Sequence, residues 1–335
     1  MRIVPLIAVV VALSAPCGAA VLIPVPAVPG STETDVHGIN DSNVIVGDYF
    51  TADGVEHGFY GTLDGTYTTF DYASGIEPRG INNEGLITAL SYQADGPPIE
   101  LERLANGTIL NITKDGQQIY GVVQGISNKH GFFAGDIRGS GDGTIDGYIG
   151  RNGRYKASVV LPFSVPQTSP RAVNKAGTTA GWYVDSTGPV YGFIAAPGAL
   201  TVLSYPDAAT VETYITSMND KGLAAGSWDA GSVNVTHAFV FDMRRDRFTP
   251  LDVPGATTSG AAGVNNAGLV AIASDAGQFI YCPKPAEQCP AGGMQLRDAP
   301  SIPAAVRQFA GFRMVGRPSS GKRALPAIAR PRRMF

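Results

Sequence analysis

The stretch Ile39-Asn40-Asp41-Ser42-Asn43-Val44-Ile45-Val46-Gly47 is the first copy of a block that returns along most of the chain. Its head reappears as Ile81-Asn82-Asn83, Ile126-Ser127-Asn128, Val173-Asn174-Lys175, Met218-Asn219-Asp220 and Val264-Asn265-Asn266. Marked at Asn40, Asn82, Asn128, Asn174, Asn219 and Asn265, successive copies lie 42, 46, 46, 45 and 46 residues apart. Asn, Asp and Gly favour turns, because short polar side chains bond the local backbone and Gly accepts a positive φ. Apolar, β-branched and aromatic runs between such turns read as strands. A repeat of this length in an all-β chain points to propeller blades.

One copy shows the parts. After the Asn40 turn, Val44-Ile45-Val46-Gly47-Asp48-Tyr49 reads as a strand, and Thr51-Ala52-Asp53-Gly54 as a second turn. His57-Gly58-Phe59-Tyr60 is the next strand, Leu63-Asp64-Gly65 a hairpin turn, and Tyr67-Thr68-Thr69-Phe70-Asp71-Tyr72 an alternating strand. The segment leading into the next Ile-Asn supplies a fourth. The second and third copies are degenerate: residues 93–124 lack the aromatic pair, and Gly139-Ser140-Gly141-Asp142-Gly143 is a loop insertion. The sixth copy stops at Tyr281 without a final strand, while Leu22 to Gly30 has the spacing that this strand would need. The expected fold is an all-β propeller over residues 21–290, closed by the mature N-terminal strand. Six blades fit best, with five or seven left open by the weak copies.

Composition agrees with short strands and tight turns. The 335 residues include 42 Gly and 24 Pro, both penalised inside helices, and only 16% are charged. The net charge of −3 conceals an asymmetry: residues 291–335 sum to +8, and residues 21–290 to −12. The acidic body argues against nucleic acid as a partner, since duplex binding needs a positive face. The basic segment 291–335, rich in Ala, Pro and Arg, is expected to be a flexible tail, with a short helix admissible only over 304–315. Residues 1–20 read as a signal peptide: Arg2, an apolar run from Ile3 to Leu13, then small residues through Ala20. Eleven apolar residues are too few to span a bilayer, which takes about 20, and no other run is longer, so no membrane span is expected. Export would place Cys282 and Cys289 in an oxidising compartment, where they are expected to pair as a disulfide.

The elements Gly38-Ile39-Asn40-Asp41, Ile45-Val46-Gly47, His57-Gly58-Phe59 and Asp71, with Thr236-His237-Ala238-Phe239, resemble the HAF family of extracellular repeats, named for its His-Ala-Phe triplet. The resemblance covers roughly residues 21–281. It implies an exported bacterial repeat protein with a propeller fold, and it brings no assigned activity or catalytic residue. Only His57 and His237 keep the triplet His, and Tyr191 replaces it in another copy.

No chemistry-bearing motif stands out. The four histidines show no zinc-like pairing, and the repeated Asn-Asx reads as turn chemistry rather than calcium ligation, because Lys129 and Lys175 occupy the second position in two copies. No metal or cofactor is therefore expected. The informative set comes from register. Three residues before each marker stand His37, Arg79, Gly125, Arg171, Thr216 and Ala262; five before stand Asp35, Glu77, Val123, Ser169, Tyr214 and Gly260. If this segment is innermost, these variable positions converge on a central opening, where His37, Glu77, Arg79, Arg171 and Tyr214 are the candidate ligand-binding residues. The competing explanation is a solvated rim with local ion pairs such as Glu77 to Arg79. The preferred function is a monomeric, non-catalytic binding protein for a glycan, peptide or cell-surface partner. The alternative is an extracellular carbohydrate hydrolase or lyase using two acids among Asp35, Glu77, Glu100 and Glu212.

Overall fold

Asn40 shows why the block folds as it does. Its side-chain oxygen accepts hydrogen bonds from Ser42 N and Val44 N, both at 3.0 Å, and its own N–H donates to Val44 O. One short side chain thus satisfies the backbone of a tight turn. Asn82, Asn174, Asn219 and Asn265 do the same. In the third copy the marker is Ser127, not Asn128: its hydroxyl accepts from Phe132 N at 3.0 Å, and its N–H donates to Phe132 O. The loop there is one residue longer, which shifts the sequence register by one.

The computed structural model describes residues 20–283 except 94–97, 129, 139–143, 208 and 232–234, then 288–290 and short strands between 294 and 316. Residues 1–19, where the sequence predicts a signal peptide, the 139–143 insertion and most of the basic segment lie outside this set. The described chain is all-β, with no α-helix. Each turn joins the first two strands of an antiparallel group. The first group is β2 (Glu33–Ile39), β3 (Ile45–Phe50), β4 (Glu56–Gly61) and β5 (Tyr67–Phe70); the second is β6 (Glu77–Ile81), β7 (Ile87–Ser91), β8 (Ile99–Arg103) and β9 (Ile109–Asn111). A small hairpin, β10 (Thr113–Lys114) and β11 (Gln117–Gln118), precedes the third: β12 (Gly121–Ile126), β13 (Phe132–Arg138), β14 (Ile145–Arg151) and β15 (Arg154–Ser158). The fourth holds β16 (Gln167–Val173), β17 (Thr179–Val184), β18 (Val190–Ala196) and β19 (Ala199–Ser204), and the fifth β20 (Glu212–Met218), β21 (Leu223–Asp229), β22 (Thr236–Asp242) and β23 (Arg247–Pro250).

The sixth group has only three strands of its own, β24 (Ser259–Val264), β25 (Val270–Ser274) and β26 (Gly277–Cys282). Its fourth is β1 (Val21–Pro24) from the start of the chain, paired from Val21↔Cys282 to Pro24↔Phe279. Single parallel bridges from a third strand to the next group's first, Ile145↔Gln167 and Val190↔Glu212, link the third, fourth and fifth groups, and among the described residues no sheet closes on itself.

Successive groups pack face against face around large buried rings, among them Phe59, Tyr148, Phe193 and Phe239. Their first strands come closest together. A Cβ on Gly38 would sit 3.2 Å from Gly80 Cα; one on Gly80 would sit 3.2 Å from Gly125 Cα; one on Gly263 would sit 3.0 Å from Gly38 Cα. Small residues two before each turn marker are therefore required by backbone approach, and the last group lies against the first. Hydrogen bonds repeat that order. Asn40 Nδ2 donates to Asn82 O, Asn82 Nδ2 to Ser127 O, Asn219 Nδ2 to Asn265 O, and Asn265 Nδ2 back to Asn40 O across 225 residues.

Two features of the C-terminal part differ in their agreement with the sequence reading. Cys282 and Cys289 are disulfide-bonded, Cα to Cα 6.0 Å, as expected. Within 291–335, however, the described residues form four short strands, where the sequence led us to expect flexible chain. β27 (Met294–Gln295) pairs with β1, β28 (Ile302–Pro303) with β23, β29 (Ala305–Ala310) with β19 and β30 (Val315–Gly316) with β15. Exposed strand edges offer unpaired N–H and C=O groups, and the segment takes them in place of an isolated short helix, which is marginal in water.

Candidate functional site: the central opening

A β-bulge recurs in the first strand of every group. Pairing jumps from Val36 to Gly38, Pro78 to Gly80, Val123 to Ile126, Pro170 to Ala172, Ile215 to Ser217 and Ala261 to Gly263. The residues passed over are His37, Arg79, Gln124 with Gly125, Arg171, Thr216 and Ala262. A bulge leaves one residue out of the ladder and re-aims its side chain, so these are the positions three before each corrected marker. In the third copy the residue is Gln124, not Gly125, and the position five before the marker is Val122, not Val123.

The six strands surround one narrow cavity of ≈ 50 Å³, bounded by His37, Arg79, Gln124, Thr216 and Ala262 among others, and by the turn residues beyond them. Such a volume holds roughly three to five water-sized groups, not a sugar ring. One end is floored by the second Asx residues. Asp41 Oδ2 accepts from Asn83, Asn128 and Asn266 side chains at 2.8, 3.2 and 2.8 Å, and Asp41 Oδ1 accepts from Asn266 N at 2.7 Å. Contacts from the second, third and sixth copies onto one carboxylate place Asp41 centrally.

At the bulge end the candidate residues form two clusters. In the first, His37 Nε2 lies 2.6 Å from Asp48 Oδ1 and 3.8 Å from Glu77 Oε1. Arg79 meets Glu77 Oε1 at 2.6 Å, and Tyr92 donates its hydroxyl to Glu77 Oε2 at 2.8 Å. Burial disfavours the His37 cation, yet the hydrogen bond and charge of Asp48, helped by Glu77, outweigh it and raise the pKa above 6.5. In the second cluster, Arg171 lies over the Trp182 ring at 5.3 Å and 3.9 Å from Asp136, a carboxylate shared with Arg138 at 3.3 Å. Tyr214 packs edge-on against Trp182 and donates its hydroxyl to Glu212. Burial, with Arg79 and Arg138 as like charges, lowers Arg171 to about 10 despite Asp136. The two clusters therefore sense each other across the opening.

Three donors here lack a protein acceptor: Arg79 Nε, Gln124 Nε2 and Arg171 Nε, all on consecutive bulges and all shielded from solvent. A buried polar group left unpaired costs roughly 1–3 kcal/mol, so three in one place call for a physical reason.

His37, Asp48 and Glu77 also bring potential metal-ligating atoms within 4.8 Å of one another, a grouping that the sequence did not foretell. The Arg79 guanidinium on Glu77 puts a positive charge where a cation would sit, so the trio fits an ion-pair network better than a metal centre. The acids proposed for hydrolysis are engaged too: Asp35 accepts from Gln278 Nε2 at 3.0 Å, Glu212 from Tyr214, and Glu100 from Tyr148, buried between the second and third groups. His57 and His237 lie away from the opening. They stack on Tyr49 and Trp228 and face Asp71 and Asp252 at 2.6 and 3.9 Å, as strand-packing residues.

The sequence missed Gln124, Asp48, Asp136 and Trp182. Gln124 was recoverable from the small residue Gly125, which matches Gly38 and Gly80; the others sit on second strands whose facing residue no repeat rule identifies. No helix among the described residues is long and apolar enough to cross a membrane. No protein-family model matches the chain, and no curated protein matches it.

Proposed function

We propose that this chain is a six-bladed β-propeller of the HAF-repeat kind, exported from the cell, that binds a ligand at the mouth of its central opening without turning it over. Six groups of strands, the β1–β26 pairing and the Asn265-to-Asn40 bond support the ring. The disulfide agrees with an oxidising compartment. One observation carries the binding reading: the six bulges fall at the same place in each group but differ in side chain, His, Arg, Gln, Arg, Thr and Ala. Positions that serve only the scaffold, such as the turn markers and the small residues before them, stay nearly constant, whereas a recognition surface needs chemical variety. The carboxylates argue against hydrolysis, because the Asp48 side chain is 3% and the Glu77 side chain 13% exposed, the first held by His37 and the second by Arg79.

The test is a thermal-shift screen of neutral sugars, sugar acids and short peptides, run beside turnover assays on generic glycoside substrates. A ligand at 100 times its Kd should stabilise the fold by about 2.7 kcal/mol, and Thr216→Trp, which narrows the opening, should remove the shift. Turnover of a glycoside would favour the carbohydrate hydrolase instead. A ligand whose shift survives Thr216→Trp would move the site elsewhere.

A further inference from the structure

Resting on that binding reading, the geometry points to a carboxylate as the group the opening takes, held by Arg79 and Gln124 with Arg171 behind them. The unpaired atoms of cavity-lining residues, Arg79 Nε and Gln124 Nε2, are both N–H donors, with a third, Arg171 Nε, on the next bulge, so the complement must supply acceptor oxygens. The carboxylates nearby are already shared. Asp136 is the carboxylate for both Arg138 and Arg171, at 3.3 and 3.9 Å, and Glu77 serves both Arg79 and His37. Asp48 and Glu212 are engaged too, by His37 and by the Tyr214 hydroxyl, so none of these carboxylates is left over to take the unpaired donors. Size narrows the choice: ≈ 50 Å³ admits a carboxylate but leaves the body of a sugar or peptide outside the mouth. Guanidinium and amide N–H groups match the two coplanar oxygens of a carboxylate, and hydrogen bonds to a charged acceptor are the stronger kind.

The source is either a free small acid or the acid group of a larger molecule, and calorimetric titration separates them. Probes are acetate, galacturonate, galactose and inorganic phosphate against the whole exported chain. Expected are binding of acetate and galacturonate, mutual competition between them, and silence from galactose. Galacturonate tighter than acetate would identify the larger source; equal affinities, the free acid. Arg79→Gln and Gln124→Leu should each weaken binding at least tenfold, while Arg151→Gln, which alters a different buried guanidinium, should not. Competition on the unmodified protein needs no variant, so a misfolded Arg79→Gln leaves the test intact. Phosphate binding without acetate, or failure of both acids, overturns the carboxylate assignment. If galactose or another neutral ligand binds through the opening in that case, the binding reading survives; if nothing in the screen binds there, both fall.

Discussion

Single residues settle most of this protein's behaviour, and Glu100 is the sharpest case. It stands on β8 where four other copies have Gly or Ala, at Gly58, Gly147, Gly192 and Ala238, and the sixth has Gln278, and it is fully buried against Tyr148. Burial raises its pKa well above the ordinary carboxylate value, only partly offset by the Tyr148 hydrogen bond. Because the folded state holds this proton more tightly than the unfolded chain, Glu100 favours folding at low pH. That contribution is lost as pH rises from about 4.3 through the raised value. Glu100→Gln should therefore flatten the pH profile and stabilise the protein at pH 8 by about 1–3 kcal/mol. Thermal melts of both proteins at pH 5 and pH 8 check this; a variant less stable at pH 8 contradicts it. The residue scale is also where sequence reading was strongest and weakest. The Asn markers were legible because their turns need that side chain. Gln124 was masked, because a Ser at position 127 does the work of Asn and leaves the adjacent Asn128 as a decoy, so that only Gly125 marked its place.

At the scale of elements, the strand that matters most is β1. Val21, Leu22 and Ile23 are all buried, at 1%, 0% and 3% exposure, and burial of such side chains contributes roughly 1.5–3 kcal/mol each. The sum approaches the whole stability of an ordinary domain, about 5–15 kcal/mol. Protein lacking residues 21–30 should fail to melt cooperatively, and a synthetic peptide of those residues should restore the transition. A truncated protein with the parent melting temperature would contradict the pairing. This strand was readable in advance because the sixth copy lacked one and the N-terminus matched its spacing. The strands from β27 to β30 were not readable. Ala305-Val306-Arg307-Gln308-Phe309-Ala310 has no clean alternation, and its pairing is decided by the open edge of β19, which no local pattern in the segment encodes.

At the scale of the whole molecule, the proposed binding depends on the first and last copies meeting, since only then do the six first strands share one opening. Repeat length and the missing sixth strand made the ring an expectation from sequence. The two-cluster arrangement at its mouth was out of reach, because it depends on which second-strand residue faces each bulge. Closure is tested most directly by a double substitution, Asp41→Cys with Asn266→Cys, at side chains that meet at 2.8 Å although 225 residues apart. After mild oxidation and proteolysis, mass spectrometry should find peptides containing positions 41 and 266 joined within monomeric protein, beside the Cys282–Cys289 pair. No such link in the monomer, with both introduced thiols reactive in the folded protein, would mean that the repeats do not close.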